Sequence, residues 1–325
     1  MLGGPETGGG SGGVDPDSTN LIAFDPGDIG LPDGGSVTLT ISGDVDYDET
    51  AGVSEDGMVY FLIPAMRVGS EITVKITVRD DTDKIVKSGS KKQTVTDGCS
   101  IAVTLNSGVP EDFVLVDEGN FYICDHELTQ GEYETYCSYG GSSPSATYGA
   151  GPDYPAYYVN WYDTLVYCNK RSIAEGLTPV YSIGGSTNPS DWGSVPTPDN
   201  ATWNAASVNA SADGYRLPTE AEWLLAADDG HTYSGSDDID EVAWYRTNSG
   251  GKTHEVKGKA ANARDIYDMS GNVWEWCFDK SGSSRVSRGG CWNNSAGDCT
   301  VSYRTSYGPA ARGNLIGFRL VRSAP

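Results

Sequence analysis

The residues of this chain that could do chemistry are its seven cysteines and three histidines. Cys291 and Cys299 lie close together near the C-terminus. Two thiols in one loop can act as a nucleophile, a redox couple or a ligand pair for a soft metal. The other five, Cys99, Cys124, Cys137, Cys168 and Cys277, are scattered. The odd count and the lack of a CxxC argue against a zinc ribbon and against a fully paired disulfide framework. A free cysteine is as often a small buried hydrophobe. His126, His231 and His254 are isolated and form no metal-spacing pair. His126, between Asp125 and Glu127, reads as part of a solvated loop. No Ser-His-Asp order and no Gly-rich phosphate loop stands out.

The elements that must position these residues fall into two parts. The 325 residues allow two domains, and 38% hydrophobic content with 8 Trp and 19 Tyr can build a sizeable core. The 42 Gly residues point to loops and turns. A net charge of −23 repels phosphate, which makes nucleic acid and anionic membrane poor partners, and otherwise reads as solubility. No apolar run is long enough to span a bilayer. Residues 1–20 read as a flexible Gly-rich tether, consistent with an upstream signal or lipid anchor having been removed. Period-two alternation over Ser36–Ile41 and Glu71–Val78, with candidates at Met58–Ile63, Lys84–Lys87 and Ser100–Leu105, predicts a small all-β, Ig-like sandwich over 21–108. It carries no catalytic signal and reads as a spacer. After a break at Asn106–Asp112, the composition shifts towards Trp, Tyr and Gly. Asn160 opens a helix running to about Ala174. Thr219 and Glu222 form a capping box for a second helix. From about 230 onward the chain reads as short strand-like pieces in long loops.

Three blocks stand out in the second part. They are Gly214-Tyr-Arg-Leu-Pro-Thr-Glu-Ala-Glu-Trp223; Tyr267-Asp-Met-Ser-Gly-Asn-Val-Trp-Glu-Trp276; and Arg288-Gly-Gly290 with Trp292-Asn293, closing on Gly317-Phe-Arg-Leu-Val321. Together they resemble the formylglycine-generating-enzyme, or sulfatase-modifying-factor, type of C-type-lectin fold. The resemblance implies an α+β domain over 109–325. Trp274 and Trp276 alternate about Glu275, so both indoles can face one side of a strand and serve as core.

The resemblance also implies where an oxidase would keep its copper-binding cysteines. On a gapless match through Gly289-Gly290 the second falls on Cys299 and the first on Asn294, which cannot offer the soft sulfur Cu(I) prefers. A thiol oxidase is therefore the weaker reading, and no cofactor is required. In family members a loop like 268–275 supplies calcium ligands. Here the matching residues are Asp268, Gly271, Val273 and Glu275, a hard-oxygen set suited to structural Ca²⁺. Glu275 pairing with an arginine is the equal alternative.

The last stretch, about 288–325, is similar to the variable regions of diversity-generating-retroelement proteins, which share this fold. In that mechanism an Asn codon is randomised to Ser, Gly, Asp, Tyr, Thr, Ala, Leu or Cys but not to Lys, Glu, Gln, Met or Trp. A fixed frame (Arg288, Gly289, Gly290, Trp292, Asn293, Cys299, Arg304, Pro309, Arg312 and 316–319) is interleaved with residues that obey this rule: Cys291, Ser295, Gly297, Asp298, Tyr303, Thr305, Ser306, Tyr307, Gly308, Ala310, Ala311, Gly313, Asn314 and Leu315. This filler resembles a paratope, with Tyr303 and Tyr307 as anchors among small polar residues. The expected protein is a monomeric, extracellular, lipid-anchored binder of an unidentified protein or host-surface ligand. A purely structural surface lipoprotein is the third reading.

Overall fold

The computed structural model describes residues 19–24, 31–43, 46–54, 58–64, 68–79, 81, 85–95, 106–107, 112–116 and 121–324. Residues 1–18, Cys99 and the strand expected over Ser100–Leu105 lie outside them. The chain divides into two compact units, Met1–Glu111 and Asp112–Pro325.

The first unit is antiparallel β-structure. Strands β2 (Ser36–Gly43), β3 (Tyr47–Ala51), β5 (Glu71–Arg79), β6 (Ile85–Thr94) and β7 (Asn106–Ser107) form a sheet in the order β3-β2-β5-β6-β7. Strands β1 (Thr19–Phe24) and β4 (Val59–Pro64) pair separately. Alternation along β2 puts Val37, Leu39 and Ile41 on one face, in register with Val78, Ile76 and Val74 of β5, and all six are buried. Val59 and Phe61 of β4 join the same apolar cluster.

The second unit is mixed α+β. Its first strands, β8 (Phe113–Val116) and β9 (Phe121–Cys124), pair with each other, and β9 also pairs with the last strand, β16 (Val321–Ser323). The start and end of the unit are thus closed into one sheet. Helices at Gln130–Tyr136, Trp161–Ala174 and Glu220–Ala227 each begin at a capping box, with Thr129, Asn160 and Thr219 as N-caps and Glu132, Asp163 and Glu222 as their partners. A helical turn lies at Ile239–Val242. Strands β10 (Tyr181–Ser182) and β11 (Ser207–Val208) form a small pair.

The sheet that matters most is β14-β13-β12-β15: Arg304–Tyr307, Ser284–Arg288, Trp274–Ser281 and Ile316–Gly317. Its central hairpin, β12–β13, is the regular exception within a region that reads as loops in sequence. Trp274 and Trp276 are both buried, as their alternation implied. The helix at Glu220–Ala227 packs Trp223, Ala226 and Ala227 against this hairpin, with Cys277, Val286, Met269 and Ile266 in the same core. No helix among the described residues is long and apolar enough to cross a membrane.

Candidate functional site

The C-terminal stretch is laid across this sheet by a small set of frame residues. Arg288, at the end of β13, meets Glu220 through Nε (2.9 Å to Oε1) and through Nη2. Its Nη1 donates to the carbonyls of Ser302 (3.1 Å) and Tyr303 (3.0 Å). One buried guanidinium therefore fixes the 301–303 turn from beneath, and Arg304 returns to the same Glu220 at 2.8 and 3.0 Å. These arginines outweigh the cost of burial and hold the Glu220 carboxyl below the usual range. Gly290 sits at φ 83°, and a Cβ there would fall 2.6 Å from Cys299 Sγ and 2.9 Å from the Asp298 carbonyl, so the backbone can pass only without a side chain.

Further along, Trp292 Nε1 donates to the Asn314 carbonyl (2.9 Å). Arg312 pairs with Asp163 at 2.9 Å, and the amides of Tyr158, Trp161 and Trp274 donate to the carbonyls of Gly313, Pro309 and Leu315. The loop's backbone is thereby bonded to the rest of the unit at both ends. Burial pushes the Asp163 carboxyl up to about 6, even though Arg312 pulls the other way.

The filler lies above this frame. Ser295, Gly297, Tyr303 and Gly308 are exposed. Asp298, Thr305, Ser306, Tyr307, Ala310, Ala311, Gly313, Asn314 and Leu315 are half-buried. Cys291 alone of the set is buried. Tyr303 is 41% exposed and leans on Trp274, with ring centroids 6.0 Å apart. Tyr307 meets Trp276 edge-on at 6.2 Å. The two expected anchors thus rest on the two buried indoles of β12, which limits their rotamers. Tyr148, outside the stretch, stacks on Trp292 at 6.0 Å beside it. Nothing in the sequence linked residue 148 to this surface, because the contact depends on the loop path.

The thiols are placed less favourably for chemistry. All six described cysteines are free and buried. Burial pushes Cys291 and Cys299 up to about 12 each, so neither is a thiolate at neutral pH. Asn294, at the position of the expected first thiol, accepts a hydrogen bond from Cys291 Sγ at 2.8 Å.

The calcium set is only partly assembled. Asp268 is buried; its Oδ2 accepts from the Lys257 amide at 2.7 Å, while Oδ1 has no partner, as a cation ligand would be before loading. Glu275, however, is taken up by Arg319, whose Nη2 is 2.8 Å from Oε1, and by Trp223 Nε1 at 2.8 Å from Oε2. The arginine already supplies the positive charge, so the four residues do not fit a calcium cage. Around this pair, Arg319 also donates to the carbonyls of Cys124 and Tyr267. Glu127 accepts from Asn272 Nδ2 and the Val273 amide. Sequence reasoning gave Glu127 no role; it lies fully buried beneath the block that carries the Trp-Glu-Trp motif.

His126 corrects the expectation of a solvated loop. It is 6% exposed, with Nδ1 2.5 Å from Asp125 Oδ1 and Nε2 3.3 Å from Glu132 Oε2. Burial opposes charge on the ring, but Cys124, Asp125 and Glu132 outweigh it and push the imidazole up to about 12. The backbone on either side of it is bonded to the chain's end, Cys124 to the Leu320 carbonyl and Leu128 to the Phe318 carbonyl, long-range contacts that local sequence does not show. His254 lies flat on Trp244, ring centroids 3.8 Å apart, and His231 is at the surface near Asp237.

Comparison with known proteins matches this geometry. Residues 80–324 fit the sulfatase-modifying factor enzyme 1-like domain. Chaperone protein LppX of Paenibacillus barcinonensis is 36% identical over 67% of this chain and 91% of that one. The formylglycine-generating enzyme of Streptomyces coelicolor is 29% identical over 38% of this chain, a match that spans only 52% of the enzyme's length. Among solved structures, Treponema denticola variable protein 1 aligns with a TM-score of 0.57 and 31% identity, covering 79% of this chain and 98% of that one. The second unit therefore has the formylglycine-generating-enzyme type of C-type-lectin fold and resembles a retroelement variable protein, and the chain belongs to the sulfatase-modifying factor enzyme 1-like domain family.

Proposed function

We propose that this protein is a surface-displayed ligand-binding protein whose C-terminal stretch, about 288–325, is a diversifiable binding site. The observation that carries the reading is a partial separation of layers: the frame side chains Arg288, Trp292, Cys299, Pro309 and 316–319 are buried, though Asn293 and Arg304 are exposed and Arg312 is half-buried, while the filler apart from Cys291 reaches solvent. The likeness to a variable protein supports it, and a relative named as a chaperone accords with a protein as the ligand. Tyr303 and Tyr307 are the anchors, with small polar residues around them for adaptable hydrogen bonding. The first unit, as an Ig-like spacer over 21–108, would hold the lectin-fold domain of 109–325 away from a lipid-anchored surface. No structural calcium enters this reading.

The test is to exchange Ser295, Tyr303, Thr305, Ser306, Tyr307, Ala310 and Asn314 together for other residues that the codon rule allows. The variants should unfold within a few degrees of the parent, and display selections should yield binders to different ligands. A large loss of stability across most exchanges would defeat the proposal. The oxidase reading loses support from Asn294 and from thiols held protonated by burial. Copper-dependent oxygen uptake with a cysteine-containing peptide, abolished in Cys299→Ser, would restore it.

A further inference from the structure

Cys124, Asp125 and His126 follow one another where β9 ends, and one donor atom from each lies within 4.8 Å of the others. Cys124 Sγ is 3.6 Å from His126 Nδ1, and Asp125 Oδ1 is 2.5 Å from the same nitrogen. A tetrahedral zinc bonded to sulfur and imidazole at the usual lengths holds those two atoms about 3.6 Å apart. Sulfur and nitrogen therefore already stand at the spacing the metal needs. The carboxylate must draw back, since zinc would set the oxygen and nitrogen about 3.3 Å apart. That is a retreat of about 0.8 Å from the present 2.5 Å.

The far side of the ring is prepared as well. His126 Nε2 faces Glu132 Oε2 at 3.3 Å. Glu132 is itself fixed by the Thr129 amide (2.9 Å) and by Arg171 (3.4 Å). A carboxylate on the second ring nitrogen orients a metal-binding imidazole and makes it a stronger donor. One cation already stands at the site, Lys257 Nζ, 2.9 Å from Asp125 Oδ1. It is 34% exposed and has Asp112 as a second partner at 3.4 Å, so it can yield its place.

We propose that Cys124, Asp125 and His126 form a binding site for a borderline-soft divalent cation, zinc above all. Cys124 Sγ, Asp125 Oδ1 and His126 Nδ1 are the ligands, water completes the tetrahedron, and Glu132 is the positioning residue. None of its three ligands is a filler residue, and it does not depend on the binding function proposed for the C-terminal stretch.

The experiment is a Co²⁺ titration of the full chain under a non-thiol reductant, followed by zinc competition. The expected result is a sulfur-to-cobalt charge-transfer band in the near ultraviolet that zinc removes and that Cys124→Ser abolishes. Glu132→Gln, which a capping box tolerates, should keep the band and weaken binding by about tenfold. No band in the parent, or a band that survives Cys124→Ser, overturns the site and leaves a buried ion network only. If circular dichroism shows Cys124→Ser unfolded, His126→Gln decides. Cobalt affinity at least about tenfold lower supports the proposal, and unchanged affinity overturns it.

Discussion

Arg319 and Tyr303 both belong to the last stretch of the chain, yet they differ in everything that governs a mutation's effect. Arg319 is fully buried, shares its guanidinium between Glu275 and two backbone carbonyls, and has no solvent to fall back on. Tyr303 is the exposed large aromatic of the region and touches the frame mainly through Trp274. On the proposed reading, the difference lets one segment be held rigidly and still vary, with fold information in the buried side chains and recognition in the exposed ones. Strand β14 makes this concrete, since its backbone is paired to β13 while Tyr307 rests on Trp276 and its neighbours remain accessible.

The strongest way to break the contrast is Arg319→Met. It leaves Glu275 without its cation and removes donors from Cys124 and Tyr267. Losing one partner of a buried ion pair costs roughly 3–5 kcal/mol, to be read from denaturant unfolding. Gly290→Ala comes next. A Cβ at positive φ, pressed against Cys299 Sγ and the Asp298 carbonyl, should cost about 1–3 kcal/mol. Its partner control, Gly297→Ala, meets nothing within 4 Å and should change stability by less than about 0.5 kcal/mol. Equal losses at both glycines would remove the distinction between frame and filler.

Much of this contrast can be read in the sequence, and the reason is local. Thr219 with Glu222, and Asn160 at the head of its helix, are capping signals that act within one turn. The Trp274 and Trp276 alternation is a property of any strand. Contacts that join distant segments are not legible in this way. Glu275 pairing with an arginine is an alternative the sequence leaves open, but that the partner is Arg319, that β9 lies beside β16, and that Tyr148 stacks on Trp292 all need the folded path. The misreading of His126 has the same origin. An Asp-His-Glu run looks polar and solvated, yet its backbone is flanked by hydrogen bonds to the carbonyls of Leu320 and Phe318 and its histidine is buried.

The filler side of the comparison yields a smaller effect. Tyr303→Ser removes an exposed ring and one aromatic contact, so the unfolding midpoint should fall by no more than about 2–4 °C. The same change should abolish binding of a ligand selected on the parent surface, as expected of an aromatic anchor. Thermal melts and surface plasmon resonance on one preparation separate the two readouts. A ligand that binds Tyr303→Ser as tightly as the parent would move the anchor elsewhere on the surface.

The smallest expected effect comes from acid, because the two clamps on the stretch titrate in opposite senses. The Asp163 carboxyl, which receives Arg312, is pushed up to about 6 from 3.8, so its protonated form favours the fold. That contribution is whole below about 3.8 and is lost as pH rises through about 6. The Glu220 carboxyl, which receives Arg288 and Arg304, lies below its unfolded value of 4.5. Its contribution is present above that value and is lost as pH falls through the folded one. Lowering pH from about 7.5 to 5.5 should therefore raise the midpoint by about 2 °C through Asp163. Further acidification should reverse the gain as the Glu220 clamp opens. In Asp163→Asn the first rise should shrink to what Asp268, likewise pushed up to about 6 by burial, still supplies, and the acid fall remain, whereas in Glu220→Gln the rise should persist and the fall shrink. Identical pH profiles for the parent and both variants would show that neither clamp links protonation to the fold. The contrast between frame and filler would then rest on the buried Arg319–Glu275 pair and the glycine backbone alone.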